Sequence, residues 1–287
     1  RRLVRIGTRM YGTPSNHESA AWLAAEFKQA GLEVVIRQDT PRAWYQPVSW
    51  EVRATSDTPP VGKPAPAPLV LKTTWPNSGA PSGKGEGLLS VEAAPGSVCL
   101  VSRAPTPETT TGCVAVLFDG RVSSSGWPSV GRSRGTWTIP VFVLSPREAN
   151  PLRERVTAGE KIRMTFALES KSGTAPGETV VATLPGKDHS KYILFCAHGD
   201  SDSGGPGAND NASAVAAMLT CGERLAARLP ADVELWIVGT GAEEVGCCGM
   251  HALVESHPEW RSDRTFFVNF ECVGGGALHW IRSEGTL

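Results

Sequence analysis

Four short segments of this chain gather residue types that bind hard or borderline metal ions. They are Ala197-His198-Gly199-Asp200-Ser201, then Gly205-Pro206-Gly207-Ala208-Asn209-Asp210-Asn211-Ala212-Ser213, then Gly241-Ala242-Glu243-Glu244-Val245-Gly246, and last Val268-Asn269-Phe270-Glu271-Cys272-Val273-Gly274. One histidine and several acids, each at the end of an apolar run, suit a hydrolytic metal site. Zinc accepts imidazole and carboxylate ligands, and two neighbouring ions can share a bridging carboxylate.

The elements around these segments explain how they could meet. Residues 180–184, 192–197, 233–238, 266–270 and 278–282 read as strands, and 192–197 is apolar throughout, as a central strand would be. Val215, Met218, Leu219, Gly222, Leu225 and Leu229 line one face of a helix expected over 212–229. A further helix is expected over 249–255, ending before Pro258. Near the start, Ser15-Asn16-His17-Glu18 reads as a capping box with Ser15 as N-cap. Ala20, Leu23, Ala24, Phe27 and Ala30 follow at helical spacing, Gly31 closes the helix, and 32–37 alternates like a strand. Strands alternating with helices predict an α/β three-layer sandwich with a mixed, mostly parallel sheet. In such sheets ligands bind beyond the C-terminal ends of the strands. His198, the Glu243-Glu244 pair and Glu271 each follow a strand, and Asp210 lies in the loop before a helix. The topology therefore puts all the candidate ligands on one rim.

The middle of the chain is different. From about 55 to 87 the composition shifts to Pro, Gly, Ser and Thr, the mark of loops or a domain crossing. Short apolar runs follow at 98–101, 114–118 and 139–144, then a charged segment, 147–156, that reads as a helix. The expected division is a catalytic domain from 1–54 and 174–287 with a β-rich insert over 55–173.

Bulk properties narrow the classes. A chain of 287 residues holds one large or two smaller domains. Its hydrophobic content of 40% and charged content of 20% are those of an ordinary globular protein, and a net charge of −1 implies no basic face for nucleic acid. No apolar run approaches the length of a membrane span. The seven cysteines are odd in number, show no CxxC motif, and read as free thiols; Cys247 and Cys248 are adjacent and poorly placed to pair. The chain opens Arg1-Arg2-Leu3 without Met and shows no signal peptide, so its true start is expected further upstream.

Taken singly, each segment has a plain explanation: His198 as a polar loop residue, Asn209-Asp210-Asn211 as a turn, Glu243-Glu244 as a solvated helix start. Together and in this order they resemble the di-zinc exopeptidase family of bacterial leucine aminopeptidases and glutamate carboxypeptidase II, in metallopeptidase clan MH. The pattern of that family runs His-x-Asp, Pro-Gly-x-Asn-Asp-Asn, Ala-Glu-Glu-x-Gly, Asn-x-Asp-x-x-Gly and a late His. The first three stand here in full, Glu271 replaces the usual Asp, and no late His motif precedes Leu287. The resemblance runs from Arg5 to Leu287 and is sharpest over 193–274. The stretch 96–168 also resembles the protease-associated domain that some members carry as an insert.

The resemblance implies a zinc-dependent exopeptidase, most simply an aminopeptidase acting on peptides, with two zinc ions in the complete enzyme. His198, Asp210 and Glu271 would hold one ion. Asp210 would bridge to a second, which Glu244 also ligates. Glu243 would be the general base, and Asp200 would accept the other imidazole N–H of His198. Secretion or a periplasmic location is implied in the same way. Glu271 leaves open a carboxypeptidase acting on dipeptide-like substrates. A non-catalytic binding protein on the same fold is the third alternative, though it would have lost ligands that are kept here. Without a late His the Glu244 site keeps only carboxylates and water, so the second metal is expected to be weak or completed by residues beyond Leu287. His17, His189, His251, His257 and His279 match no family position.

Overall fold

The computed structural model describes residues 1–58, 67–77, 79–102, 105–120, 137–184, 190–202, 205–260 and 263–279. In chain order the elements are α1 (Arg2–Ile6), α2 (Pro14–Gln29), β1 (Glu33–Gln38), β2 (Arg42–Ser56), β3 (Leu69–Val70), β4 (Trp75–Pro76), β5 (Gly83–Ser90), β6 (Val98–Val101), β7 (Ala115–Asp119), β8 (Val141–Leu144), α3 (Pro146–Thr157), β9 (Ile162–Ala175), β10 (Glu178–Leu184), β11 (Lys191–His198), α4 (Ala214–Ala226), β12 (Val233–Thr240), α5 (Cys248–Glu255) and β13 (Thr265–Asn269). They fall into two compact units, Arg1–Trp44 with Gly173–Leu287, and Tyr45–Ser172. The division lies ten residues before the expected one because β2 is a single long strand. It begins before the Pro/Gly-rich stretch that drew attention in the sequence.

The first unit is built on a five-stranded sheet of order β1-β10-β12-β11-β13. It is mixed, but not mostly parallel: β11 pairs in parallel with β12 and β13, while β10 pairs antiparallel with β1 and β12. The parallel strands are those joined by helical crossovers, β11 through α4 to β12 and β12 through α5 to β13. That connection forces a parallel return. No such crossover links β10 to either of its neighbours.

Helices cover both faces. Val180, Ala182, Phe195, Ala197, Leu235 and Ile237 pack with Leu23, Ala24 and Phe27 of α2 and Val215 and Met218 of α4. The alternate residues Val181, Tyr192, Leu194 and Val238 pack with Leu253 of α5 and Trp260. A strand buried on both faces needs apolar residues at every position, and 192–197 has them. Ala20, Leu23, Ala24 and Phe27 are buried on α2, as their spacing predicts, together with Asn16 and Ser19, whereas Ala30 is the C-cap and is exposed. The cap differs: Thr13, not Ser15, is the N-cap, and its Oγ1 accepts from Asn16 N at 3.3 Å. Pro14 takes the first helical position, where its missing N–H costs nothing. Residues 278 and 279 are not in a strand, and the rest of the expected 278–282 strand lies outside the described residues.

The second unit has its own eight-stranded sheet, ordered β3-β2-β9-β5-β6-β7-β8-β4. The three apolar runs of the sequence are β6, β7 and β8, parallel neighbours in its interior. Leu100, Leu117, Phe142 and Leu152 of α3 are among its fully buried side chains. The stretch expected to be loops, 55–87, contains β3 and β4 and the first half of β5. The glycines of β5 are compatible with a strand because Gly85 sits opposite Phe166 of β9, whose ring covers the place a side chain would take.

Candidate functional site

His198 is the last residue of β11 and is only 2% exposed. Its imidazole is surrounded by acceptors. Nδ1 lies 3.2 Å from the main-chain oxygen of Asp200 and 3.4 Å from the Asp200 carboxylate. Nε2 lies 3.0 Å from Asp210, 3.5 Å from Glu271 and 3.8 Å from Glu243. Burial works against a charge on this ring, but the bonds to Asp200, Asp210 and Glu271 outweigh it and hold the pKa well above the ordinary value. A proton belongs on Nδ1, where only acceptors face it, and Nε2 is the atom that a cation could take over from a proton.

Asp200 is completely buried and faces inward from the turn after β11. Besides facing His198, its two carboxylate oxygens accept from Glu243 N at 3.2 Å and Glu244 N at 3.1 Å. One side chain thus fixes the imidazole and the main chain of the acid pair that follows β12. The two glutamates then diverge. Glu243 reaches toward His198 and Cys247, whereas Glu244 Oε1 accepts from Asp202 N at 2.9 Å. The Glu244 carboxyl is pushed up to about 8, first by burial and then by Asp210, Asp202 and Asp200 around it.

Asp210 lies in a wide turn, residues 208–213, that leads into α4. Its own φ and ψ and those of Asn211 are not helical, and the bond between them is cis. The bond with His198 keeps the Asp210 carboxyl below its ordinary pKa, against the opposing effect of burial. Gly207, just before, has φ 52°, and a Cβ there would collide with the main-chain oxygen of Asp210 and with Ser201. Glu271 follows β13 and is held by Asn211, whose amide donates to its Oε2 at 3.2 Å and to the oxygen of Phe270 at 3.0 Å.

Two groups of side chains among the described residues could hold a metal ion. His198, Asp210 and Glu271 form one, and His198, Glu243 and Glu244 the other; within each, the ligand atoms lie within 4.8 Å of one another. All six residues singled out in the sequence are therefore brought together, Asp200 as the inner partner of His198. The second group differs from the expected one: it joins His198 and Glu243 to Glu244, and Asp210 is not part of it. The structure also places residues in the site that the sequence did not mark. Asn211 belongs to a marked segment but carried no role. Arg9 carried no signal at all: it is a lone cation before a helix cap, yet it is completely buried beside the two metal-site loops.

Residues 179–279 match the family model of peptidase family M28. Over 275 residues the chain is 22% identical to leucine aminopeptidase 2 of Trichophyton equinum, covering 93% of this chain and 54% of that protein. It is 25% identical over 268 residues to a probable lipoprotein aminopeptidase, LpqL, of Mycobacterium tuberculosis, covering 87% and 51%. The chain thus spans about half the length of the curated relatives it matches. Among solved structures, the zinc aminopeptidase BSAP of Bacillus subtilis is similar in fold, with a TM-score of 0.60 and 22% identity over 93% of this chain and 65% of that one.

Proposed function

We propose that this chain, whose residues 179–279 match the model of peptidase family M28, is the metal-binding part of a zinc-dependent aminopeptidase that hydrolyses the terminal peptide bond of peptides. The observation that carries this reading is the convergence of four acids from three loops on one face of a buried imidazole. Nothing in the packing of the sheet requires it. One imidazole nitrogen with carboxylate oxygens is a donor set suited to zinc. His198, Asp210 and Glu271 would hold one ion, and Asp210 with Glu244 a second. Asp210 lies near enough to Glu244 for its charge to raise the Glu244 pKa. When bound, zinc supplies Lewis acidity and makes water a nucleophile near neutral pH.

The side chains divide the remaining work. Asp200 holds the Nδ1 proton of His198 and so keeps Nε2 available. Glu243 has a side chain 40% exposed on a backbone pinned by Asp200, which suits a group that takes a proton from water and delivers it to a leaving amine. We favour a substrate with a free α-ammonium group over one with a terminal carboxylate. Arg9, the buried cation beside the site carboxylates, directs its donors to main-chain carbonyls. The names of the aminopeptidase relatives point the same way. The second unit we assign to an insert of the protease-associated kind, on the strength of its separate sheet and the absence of site residues from it among those described.

Elemental analysis of wild type and His198→Ala, with hydrolysis of leucine p-nitroanilide and of its N-acetylated form, tests the proposal. Zinc in the wild type, its loss in the variant, and cleavage of the free-amine substrate alone are expected. Equal metal content in both proteins would defeat the ligand assignment, and cleavage of the blocked substrate would defeat the aminopeptidase reading.

A further inference from the structure

Among the described residues Arg9 is the largest fully buried charged side chain, and its donors go to main-chain oxygens. Nε donates to Gly199 O at 2.9 Å, and Nη1 to Pro206 O at 2.5 Å and to Leu3 O at 3.4 Å. Nη2 donates to Gly207 O at 3.4 Å. Gly199 lies between His198 and Asp200. Pro206 and Gly207 open the turn that carries Asp210. The main chain of Arg9 joins the same two loops through Ser201: Arg9 N donates to Ser201 Oγ at 2.9 Å, and Ser201 N donates to Arg9 O at 3.3 Å. Ser201 Oγ also donates to Gly205 O at 3.1 Å.

From this geometry we infer that Arg9 is a positioning residue for the metal centre: its planar fork ties the His198 loop to the Asp210 loop and sets the separation of their ligand atoms before an ion arrives. A guanidinium presents five N–H donors in a rigid fan, so one residue can reach carbonyls of several loops at once. A lysine carries the same charge but no such fan. Burying a cation is costly unless every donor is used and negative charge lies near. Four of the five N–H donors have carbonyl partners, and the carboxylates of Asp200, Glu244 and Asp210 supply the negative charge. Those carboxylates also benefit, because a fixed positive charge behind them offsets their mutual repulsion.

The two contributions of Arg9 to zinc affinity have opposite signs. A fixed positive charge near a cation site weakens binding, so charge alone predicts tighter zinc when Arg9 is neutralised. Preorganised ligands strengthen binding, so positioning predicts weaker zinc when the fork is lost, whether or not the charge is kept. Losses on removing a group that orients metal ligands are typically about 10–100-fold in affinity.

The inference rests on zinc being the ion held by His198, Asp210 and Glu271, and its test has one arm that needs no metal. Zinc titrations of the full chain compare wild type with Arg9→Lys and Arg9→Met. Ser201→Ala serves as a milder variant should either Arg9 change prevent folding. Amide hydrogen exchange is followed on the same metal-free proteins. Weaker zinc binding by about 10–100-fold in both Arg9 variants, and a smaller loss in Ser201→Ala, is the expected result. Faster exchange confined to residues 199–202 and 207–213, with β11 and β12 unchanged, is expected alongside it. Unchanged or tighter zinc in Arg9→Met, or loop exchange equal to wild type, would overturn the assignment. If the wild type binds no zinc, the proposed function fails, and loop exchange alone then decides whether Arg9 holds the two loops together.

Discussion

Two glutamates, one in each unit, are driven in opposite directions. Glu160, before β9 in the second unit, meets Arg155 in a two-pronged pair at 2.6 and 2.7 Å, and its carboxyl is held down at about 2. Glu244, after β12 in the first unit, is buried among Asp210, Asp202 and Asp200 and is pushed up to about 8. The second unit satisfies its charges pairwise near the surface. It also has an extensive apolar core, with the interior strands β7 and β8 buried almost throughout. The first unit concentrates like charges at the C-terminal rim of its sheet and buries His198, Asp200, Asn211 and Arg9 to hold them there. Such an arrangement opposes folding unless a cation relieves it, and strained charge of this kind marks a functional site.

The contrast is broken most severely by Glu243→Gln. If Glu243 is the general base, turnover should fall by roughly two to four orders of magnitude while zinc content stays at the wild-type level. Peptidase kinetics paired with elemental analysis check this, and retained turnover would reject the role. The matching change in the second unit is Phe142→Ala. Phe142 is fully buried in β8 and packs near Phe166, with ring centroids 6.4 Å apart. Deleting the ring leaves a cavity and should cost about 3–5 kcal/mol of stability, read from denaturant unfolding. The folded variant should bind zinc as before. The two substitutions thus sharpen the comparison: one removes chemistry and spares the fold, the other does the reverse.

Much of this was legible in the residues. The apolar strands, the rim position of His198, Glu243, Glu244 and Glu271, and the order of the motifs follow from local pattern. A strand buried on both faces and a metal ligand both need particular residue types at particular places. What escaped was set by contacts distant in sequence. The sheet is less parallel than expected because β10 is joined to its neighbours by no crossover helix. β5 is a strand despite its glycines because Phe166, some eighty positions away, lies across Gly85. The Thr13 cap hides behind Pro14, because Ser15 and Glu18 have the spacing of a capping box. Arg9 stayed silent because its partners are carbonyl oxygens, which every residue has and no sequence pattern displays. Glu243 in the second ligand group likewise reflects a side-chain direction that spacing along the chain does not determine.

The smallest expected effect concerns the paired glutamate. Glu160 has its pKa lowered from the ordinary 4.5 to about 2, chiefly by the Arg155 bond and next by Ser56. A carboxylate whose folded pKa lies below its unfolded value adds stability that is fully present above the unfolded pKa. That stability is lost as pH falls through the folded one. The window is therefore from about 4.5 down to about 2. The side chains of Arg155 and Glu160 are 38% and 25% exposed, so solvent screens the pair. Its worth should be about 1 kcal/mol or less. Glu160→Gln should melt a few degrees below wild type at pH 7, and the two curves should converge as the pH is taken toward 2. Added salt should shrink the gap at pH 7, because the interaction is partly exposed. A gap that persists unchanged to pH 2 would mean that Glu160 acts through packing and not through its charge.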